Sequence, residues 1–127
     1  MIGKLAYALA VNRILFGIGY IVDPARTGGG WIGRTARKPQ TAVFTRALGA
    51  RDLALGAGAL AALAGHRDAR PWFAAHAIAD GTDLAATVAA RDALPRSGYR
   101  FALAMAGAST AIALAAATAT DGRGGAA

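Results

Sequence analysis

The feature that most constrains this chain is the position of its four prolines. Pro24, Pro39, Pro71 and Pro95 each lie in a polar or charged stretch, and none interrupts a long apolar run. Because proline breaks a helix when it lies in the interior, the runs between these residues are free to be helical. Four apolar segments lie between and beside the prolines, and each has roughly 20 residues, the length at which an α-helix crosses the hydrocarbon layer of a bilayer. The predicted helices are at about 2–22, 45–65, 72–94 and 99–120.

We therefore predict an all-α fold, a four-transmembrane-helix bundle in up-down-up-down order, formed by a single domain at 1–120 and followed by a disordered tail at 121–127. The alternative is a soluble four-helix bundle, in which each helix would carry a solvated face with charges every three or four residues. The segments 53–65 and 101–120 contain no charged residue at all. This absence favours the membrane.

The basic residues lie mainly in the connections between these runs. Eight belong to the first and third connections with their flanks and four to the opposite side, and an excess of Lys and Arg marks the cytoplasmic side of a membrane protein. We expect a multi-pass protein of the cell membrane with its first and third loops in the cytoplasm. The net charge of +7 then suits anionic lipid headgroups, whereas nucleic acid would require a clustered basic surface on a soluble domain. No nucleic-acid partner is expected.

Small residues recur in two places. Ala50, Ala54, Gly58 and Ala62 form a small-xxx-small stripe on the second predicted helix, a pattern that lets membrane helices pack closely. The first connection is rich in glycine and contains G-x-G-x-x-G at 28–33. A dinucleotide-binding fingerprint needs a strand before this pattern and a helix after it, and here an apolar membrane run precedes it. We interpret it as a flexible loop, with Trp31 anchoring it among the lipid headgroups.

Charged residues inside the apolar runs are the strongest indication of a functional site. Arg13 lies near the centre of the first predicted helix, Asp80 and Asp83 flank the centre of the third, and Arg51 and Asp52 lie in the second. Placing one such charge in the bilayer centre costs about 2.5–3.5 kcal/mol on insertion scales, so these residues rarely face lipid. We predict that they pair with one another.

The third predicted helix carries four polar residues on one stripe. His76, Asp80, Asp83 and Thr87 are spaced by four, three and four, which places neighbouring side chains on one face. The predicted binding centre combines this stripe with the charges of the other helices and consists of Arg13, Arg51, Asp52, His76, Asp80 and Asp83. Its two arginines and three aspartates leave one excess negative charge. A shared proton, a protonated His76 or a bound cation would balance it.

Three interpretations of this centre remain open. Its ion pairs could do no more than fix the register of the helices. It could bind a small apolar ligand, a proton or a partner helix. It could also be the active site of a membrane-embedded enzyme, an isomerase or an epoxide-opening hydrolase acting on a lipid-like or isoprenoid substrate. The candidate catalytic residues are then Asp80, Asp83 and Asp52 as general acid and base, oriented by Arg13 or Arg51.

The expected partners are membrane lipids, a small apolar ligand, and a second copy of the chain or another membrane protein. No cofactor is expected. A metal site is not expected either, because the centre offers only one histidine and no Glu-x-x-His pattern. The chain has no cysteine, which excludes disulfides and cysteine-based sites.

The run R-x-x-G-A-R-D-L-x-L-G at 46–56, together with the D-x-x-D of Asp80 and Asp83, resembles a group of small actinobacterial four-helix integral membrane proteins, a domain-of-unknown-function family. The resemblance covers roughly residues 5–115 and implies a four-helix membrane fold. It implies no activity. The signature positions that it marks are Arg46, Gly49, Arg51, Asp52 and Asp83.

Overall fold

The computed structural model describes residues 1–119, so the tail expected to be disordered at 121–127 lies outside the described residues. Over the described range the chain is helical and contains no strand, in agreement with the all-α prediction. The α-helices are α1 (Ile2–Val22), α2 (Pro24–Ile32), α3 (Pro39–Ala64), α4 (Arg70–Ala89) and α5 (Arg96–Thr118), and short 3-10 helices cover Gly33–Arg37 and Arg91–Ala93.

Three of the described helices, α1, α3 and α5, are long and apolar enough to cross a membrane. Helix α4 has 20 residues, which is also a sufficient length. It is less apolar, because His76, Asp80 and Asp83 lie in its middle. Length and composition therefore support a membrane protein and distinguish α4 as the least apolar of its four long helices.

The prolines begin helices instead of only separating them. Pro24, Pro39 and Pro71 occupy the first turns of α2, α3 and α4, and Pro95 directly precedes α5. An N–H group in the first turn has no intrahelical partner, so a proline there loses no hydrogen bond. For this reason α3 begins earlier than the expected residue 45 and α5 earlier than residue 99. Helix α4 ends at Ala89, before the expected residue 94, and a 3-10 turn follows it.

The glycine-rich first connection is helical, so the expectation of a flexible loop is wrong. Asp23 caps α2, since its Oδ1 accepts the backbone N–H of Arg26 at 3.1 Å, and Pro24 supplies the first helical residue. Gly28 is buried in this helix. Helix α2 ends at Ile32, and the next residue, Gly33, has a φ of 69° in the left-handed region that favours glycine.

Helices α1 and α3 meet backbone to backbone at three glycines. A Cβ atom added to Gly17 would lie 2.6 Å from the backbone nitrogen of Leu53, and one added to Gly56 would lie 2.7 Å from the carbonyl oxygen of Ala10. A Cβ on Gly49 would meet the Gly17 oxygen at 2.7 Å. Only glycine permits this approach.

The small-xxx-small stripe predicted on α3 is not this contact face. Ala50 and Ala54 are exposed, and Gly58 lies under the ring of Trp72 from α4. The face that packs against α1 is instead the one that carries Gly49 and Gly56. Because α3 is apolar and rich in small residues all round, composition alone does not mark its buried face.

The two ends of the molecule differ in character. At one end, which we call the apolar end, α1, α3, α4 and α5 join in a core made almost entirely of alanine around one aromatic ring. Its buried members are Ala6, Leu9, Ala10, Ala59, Phe73, Ala77, Ala113 and Ala116. The other end, which we call the capped end, is covered by α2. There Gly98 at the start of α5 packs against the Trp31 carbonyl, and Gly33 packs against Pro95. The first and third connections therefore share one end of the molecule.

Candidate functional site

Arg13 of α1 joins carboxylates from two other helices. Its Nη1 donates to Oδ1 of Asp52 on α3 at 2.8 Å, and its Nη2 donates to Oδ1 of Asp80 on α4. All three residues are buried, with 5%, 8% and 5% of their surface exposed respectively. Each charge is costly to bury alone, and the ion pairs offset this cost. The pairing of these residues agrees with the prediction from the sequence.

Arg51 extends this network because it forms a further ion pair, with the carboxylate of Asp83. Its Nη1 and Nη2 donate to Oδ1 and Oδ2 of Asp83 at 3.1 and 2.6 Å, a two-pronged geometry that fixes both side chains. Its Nη2 also contacts Oδ1 of Asp52 at 3.2 Å. The charges therefore alternate along one chain, which we call the polar centre: Asp83, Arg51, Asp52, Arg13 and Asp80.

The glycine contacts explain why Arg13 reaches Asp52. Arg13 lies on α1 between Ala10 and Gly17, and Asp52 lies on α3 between Gly49 and Gly56. The backbones touch on both sides of the ion pair. This close approach brings the guanidinium within 2.8 Å of the carboxylate.

Ser109 of α5 completes the polar centre, and sequence reasoning did not identify it. Its hydroxyl donates to Oδ2 of Asp80 at 2.5 Å, so that all four long helices contribute a polar side chain. The sequence offered one indication of this role, a serine within the uncharged run at 101–120. A single hydroxyl in a membrane helix usually donates to the backbone of its own helix, as Thr110 does here to the Ala106 oxygen, so the serine alone did not indicate a site.

His76 does not join the polar centre, although it shares a helix face with Asp80. It is fully buried, and its ring centroid lies 5.2 Å from that of Phe73 in an edge-on arrangement. Neither ring nitrogen has a hydrogen-bond partner within residues 1–119. His76 lies one turn closer to the apolar end than Asp80 and makes no hydrogen bond to the polar centre within residues 1–119, so its part in the binding centre stays a prediction.

Trp31 closes the polar centre at the capped end. Its Nε1 donates to the hydroxyl of Thr87 at 3.1 Å, and Thr87 donates to the backbone oxygen of Asp83 at 2.7 Å. The indole therefore points into the helices, which corrects the expectation that Trp31 anchors a loop among the headgroups. Thr87 is 2% exposed, so this contact is part of the protein interior.

A cavity of about 100 Å³ lies against the polar centre, between α1, α4 and α5. Asp52, Asp80 and Asp83 form part of its wall together with Arg13 and Ser109. The remaining wall is mainly aromatic, from Phe16, Tyr20, Trp31 and Phe101, and also includes Met105 and the polar side chain of Asn12. Sequence reasoning missed this wall, because in helices that are apolar on every side no periodicity shows which face is buried.

The opposite end of the molecule carries a charged pair of a different kind. Arg70 donates to Asp68 through its Nε at 2.8 Å, and both side chains are about half exposed. The hydrogen bonds from Arg70 hold the pKa of the Asp68 carboxyl below its usual range. A second cavity of about 170 Å³ lies beside this pair, but its charged groups are at the molecular surface. Within residues 1–119 no group of His, Cys, Asp or Glu has the arrangement of a metal site.

No protein-family model, curated protein or solved structure matches this chain. The polar centre and its cavity therefore have to be interpreted from their own chemistry.

Proposed function

We propose that this chain is an integral membrane protein in which α1, α3, α4 and α5 cross the bilayer in up-down-up-down order, and that it binds a small lipid-like molecule in the cavity beside the polar centre. The observation that carries the proposal is the cavity itself, which has one ionic wall and one aromatic wall within an apolar protein. A ligand with a polar head and an apolar body matches both walls.

The outer surface supports the membrane assignment. Large apolar side chains cover the outside of the helices, including Leu15 and Ile18 on α1, Phe44 on α3 and Ile78 on α4, which is 73% exposed. Of the charged residues in the middle of these helices, Arg13, Asp52 and Asp80 are buried and Arg51 and Asp83 are partly buried. This arrangement is the reverse of a soluble bundle, where the charged face is the outer one.

Helix α4 is the fourth crossing in this proposal, although its hydropathy alone does not identify it. Asp80 and His76 are buried, and Asp83 is held by Arg51. Polar groups that face the protein interior do not meet lipid, so a helix of this length can cross with its neighbours.

The capped end faces the cytoplasm in this proposal. The first and third connections meet there, and with their flanks they carry eight of the basic residues. Basic side chains at this end would contact anionic headgroups of the inner leaflet.

The contacts of the signature positions also support the proposed relationship to the small actinobacterial membrane proteins. Arg46 donates through its Nε to the Ile21 oxygen at 3.1 Å and so closes the end of α1. Gly49 allows the close contact with α1. Arg51, Asp52 and Asp83 belong to the polar centre, so the signature describes one connected structural unit.

The cavity opens between α1 and α5. Asn12 on α1 and both Phe101 and Met105 on α5 line it and are exposed. In a membrane this edge faces the lipid. A ligand would therefore enter sideways from the bilayer, with its polar head toward Asp52 and Asp80.

The test is mass spectrometry of the small molecules that remain bound to the protein purified in maltoside detergent. We expect one discrete amphiphile in the wild type and its loss from Asp80→Asn, which removes a charge from the cavity wall with little change in shape. The matched control is Asp68→Asn at the other end of the molecule, which should retain the molecule. Far-UV circular dichroism establishes that both variants are folded. Bulk phospholipid alone in all three proteins would contradict the proposal.

One contact favours catalysis as a second candidate function. Arg13 bridges Asp52 and Asp80, and both carboxyl groups line the cavity. In epoxide hydrolysis, the ionised carboxylate would take a proton from water while the water oxygen bonds to a ring carbon. The ring C–O bond breaks, and the protonated partner gives its proton to the departing oxygen. A lipid-soluble epoxide converted to its diol by the wild type, but not by Asp80→Asn, would establish this activity.

A further inference from the structure

Aromatic side chains are concentrated around the cavity beside the polar centre. The chain has two Trp, three Tyr and four Phe, and four of these nine line this one cavity: Phe16, Tyr20, Trp31 and Phe101. They come from α1, α2 and α5, so the concentration is a product of the fold and not of a local run in the sequence. The faces of aromatic rings carry negative potential and attract cations.

The ionic wall of the same cavity also carries a negative net charge. The polar centre holds three carboxylates against two guanidinium groups, so one negative charge is in excess. Both terminal nitrogens of Arg13 and of Arg51 already donate to carboxylates. Among the guanidinium nitrogens of the two arginines, only the Arg13 Nε has no acceptor within residues 1–119. An anionic ligand would therefore find one N–H donor and lie beside three carboxylates.

One carboxylate oxygen in this wall remains free to bind. Asp52 accepts the hydrogen bonds of Arg13 and Arg51 through Oδ1 alone, and its Oδ2 has no hydrogen-bond partner within residues 1–119. The residue is 8% exposed and lines the cavity. A carboxylate oxygen that lacks a donor in a largely buried side chain is stabilised by a positive charge placed against it.

We propose that the ligand of this cavity is an amphiphilic organic ammonium ion, with its cationic head between the aromatic rings and Asp52 and its apolar tail leaving between α1 and α5. This inference rests on the proposed function, that the cavity binds a lipid-like molecule, and adds the charge of its head. About 10–15 Å³ of cavity volume is enough to hold one water molecule. The cavity of about 100 Å³ therefore has room for a compact substituted ammonium group.

The experiment uses Trp31 as a reporter inside the cavity. The chain has two tryptophans, and Trp72→Phe leaves Trp31 as the only one. In maltoside micelles, this protein is titrated with octyltrimethylammonium, octanol and octyl sulfate, which share one tail and differ in the charge of the head. We expect a saturable change in Trp31 fluorescence with the cation, at a concentration at least about tenfold below that needed for octanol, and none with the sulfate.

Two variants test the walls separately in the same background. Asp52→Asn should raise the dissociation constant for the cation by about tenfold or more, and Asp68→Asn should leave it unchanged. Phe101→Leu keeps the ion pairs intact, so it tests the aromatic wall even if Asp52→Asn fails to fold. It should weaken binding of the cation by about threefold or more without affecting octanol.

The outcomes separate the two proposals. Octanol binding as tightly as the cation would overturn the ammonium inference and leave the proposed function intact. Tighter binding of octyl sulfate would overturn the inference in the same way. No saturable response to any of the three probes would overturn both.

Discussion

The apolar end and the polar centre hold the same four helices together by different means. At the apolar end, alanines from all four helices surround Phe73, and within residues 1–119 no side-chain hydrogen bond joins these core residues to align the helices. At the polar centre, five charges and Ser109 are joined by hydrogen bonds of defined direction. In lipid the apolar end gains only close packing, since lipid tails are as apolar as the side chains. Alanine therefore allows the helices of this protein to pack closely, while the ion pairs fix how the helices are aligned with one another.

The largest expected effect is at the centre of the ionic chain. Arg13→Leu removes the cation shared by Asp52 and Asp80 and leaves two carboxylates buried beside each other. Loss of one partner from a buried pair costs about 3–5 kcal/mol. We expect a loss of this size in the free energy of unfolding, measured by titration with dodecyl sulfate in mixed micelles. Asp68→Asn, at the pair whose side chains are about half exposed, serves as the control and should have a much smaller effect. A loss below about 1 kcal/mol for Arg13→Leu would show that the ion pairs do not set the register.

Phe73→Ala tests the apolar end in the same assay. The substitution leaves a void of about 100 Å³, and a void costs about 24 cal/mol per Å³, so we expect a loss of about 2–3 kcal/mol. The separate gain of removing a side chain from water does not apply in lipid. The amphiphile detected by mass spectrometry should still be bound, because Phe73 does not line its cavity. Loss of that molecule from a folded Phe73→Ala variant would contradict the independence of the two regions.

Gly56→Ala tests how the glycine contact supports the ion pair. The new Cβ would lie 2.7 Å from the Ala10 oxygen and would push α3 away from α1. We expect a net loss of about 1–2 kcal/mol in the unfolding free energy, together with weaker retention of the ligand. The control is Gly107→Ala on α5, where nothing lies within 4 Å of the new Cβ. If the two variants were equally stable, the contact between the backbones would not be limiting.

The smallest expected effect is at the turn between α3 and α4. His66 has a φ of 52°, a left-handed conformation that glycine adopts without steric cost. This conformation lets the Arg67 N–H donate to the Ala62 oxygen at 2.8 Å, which closes α3. His66→Gly should therefore stabilise the protein by up to about 1 kcal/mol and leave ligand binding unchanged. Destabilisation would indicate that the His66 side chain makes a contact with the lipid surface that outweighs the backbone strain.

The charged residues made part of the site predictable. Arg13, Arg51, Asp52, Asp80 and Asp83 stood out because each is expensive to place in an apolar helix, and the same expense dictates that they pair. His76 followed a weaker argument from helix periodicity. Periodicity gives the face of a residue but not what the neighbouring helix presents at that height, and the ring contact of His76 is with Phe73 of its own helix.

The aromatic wall and α2 were beyond the sequence arguments for different reasons. Phe16, Tyr20 and Phe101 lie in helices that are apolar on all sides, so nothing distinguishes a lipid-facing ring from one in a cavity. Asp23 and Pro24 are typical of the start of a helix, but the glycines that follow them indicated a loop. Glycine in a helix costs only about 1 kcal/mol per residue, and packing against α3 and α5 compensates for it.

The alternation of charges along the polar centre has a consequence for how the protein is made. The first two long helices, α1 and α3, bring Arg13, Arg51 and Asp52, and so leave one positive charge uncompensated. The last two, α4 and α5, bring Asp80 and Asp83 and leave two negative charges. If all four helices cross the bilayer as proposed, the charges of each half remain uncompensated there until the other half is synthesised and pairs with it. A chain cut within residues 65–69 should therefore yield two fragments that are each degraded alone and that accumulate as a stable complex when produced together.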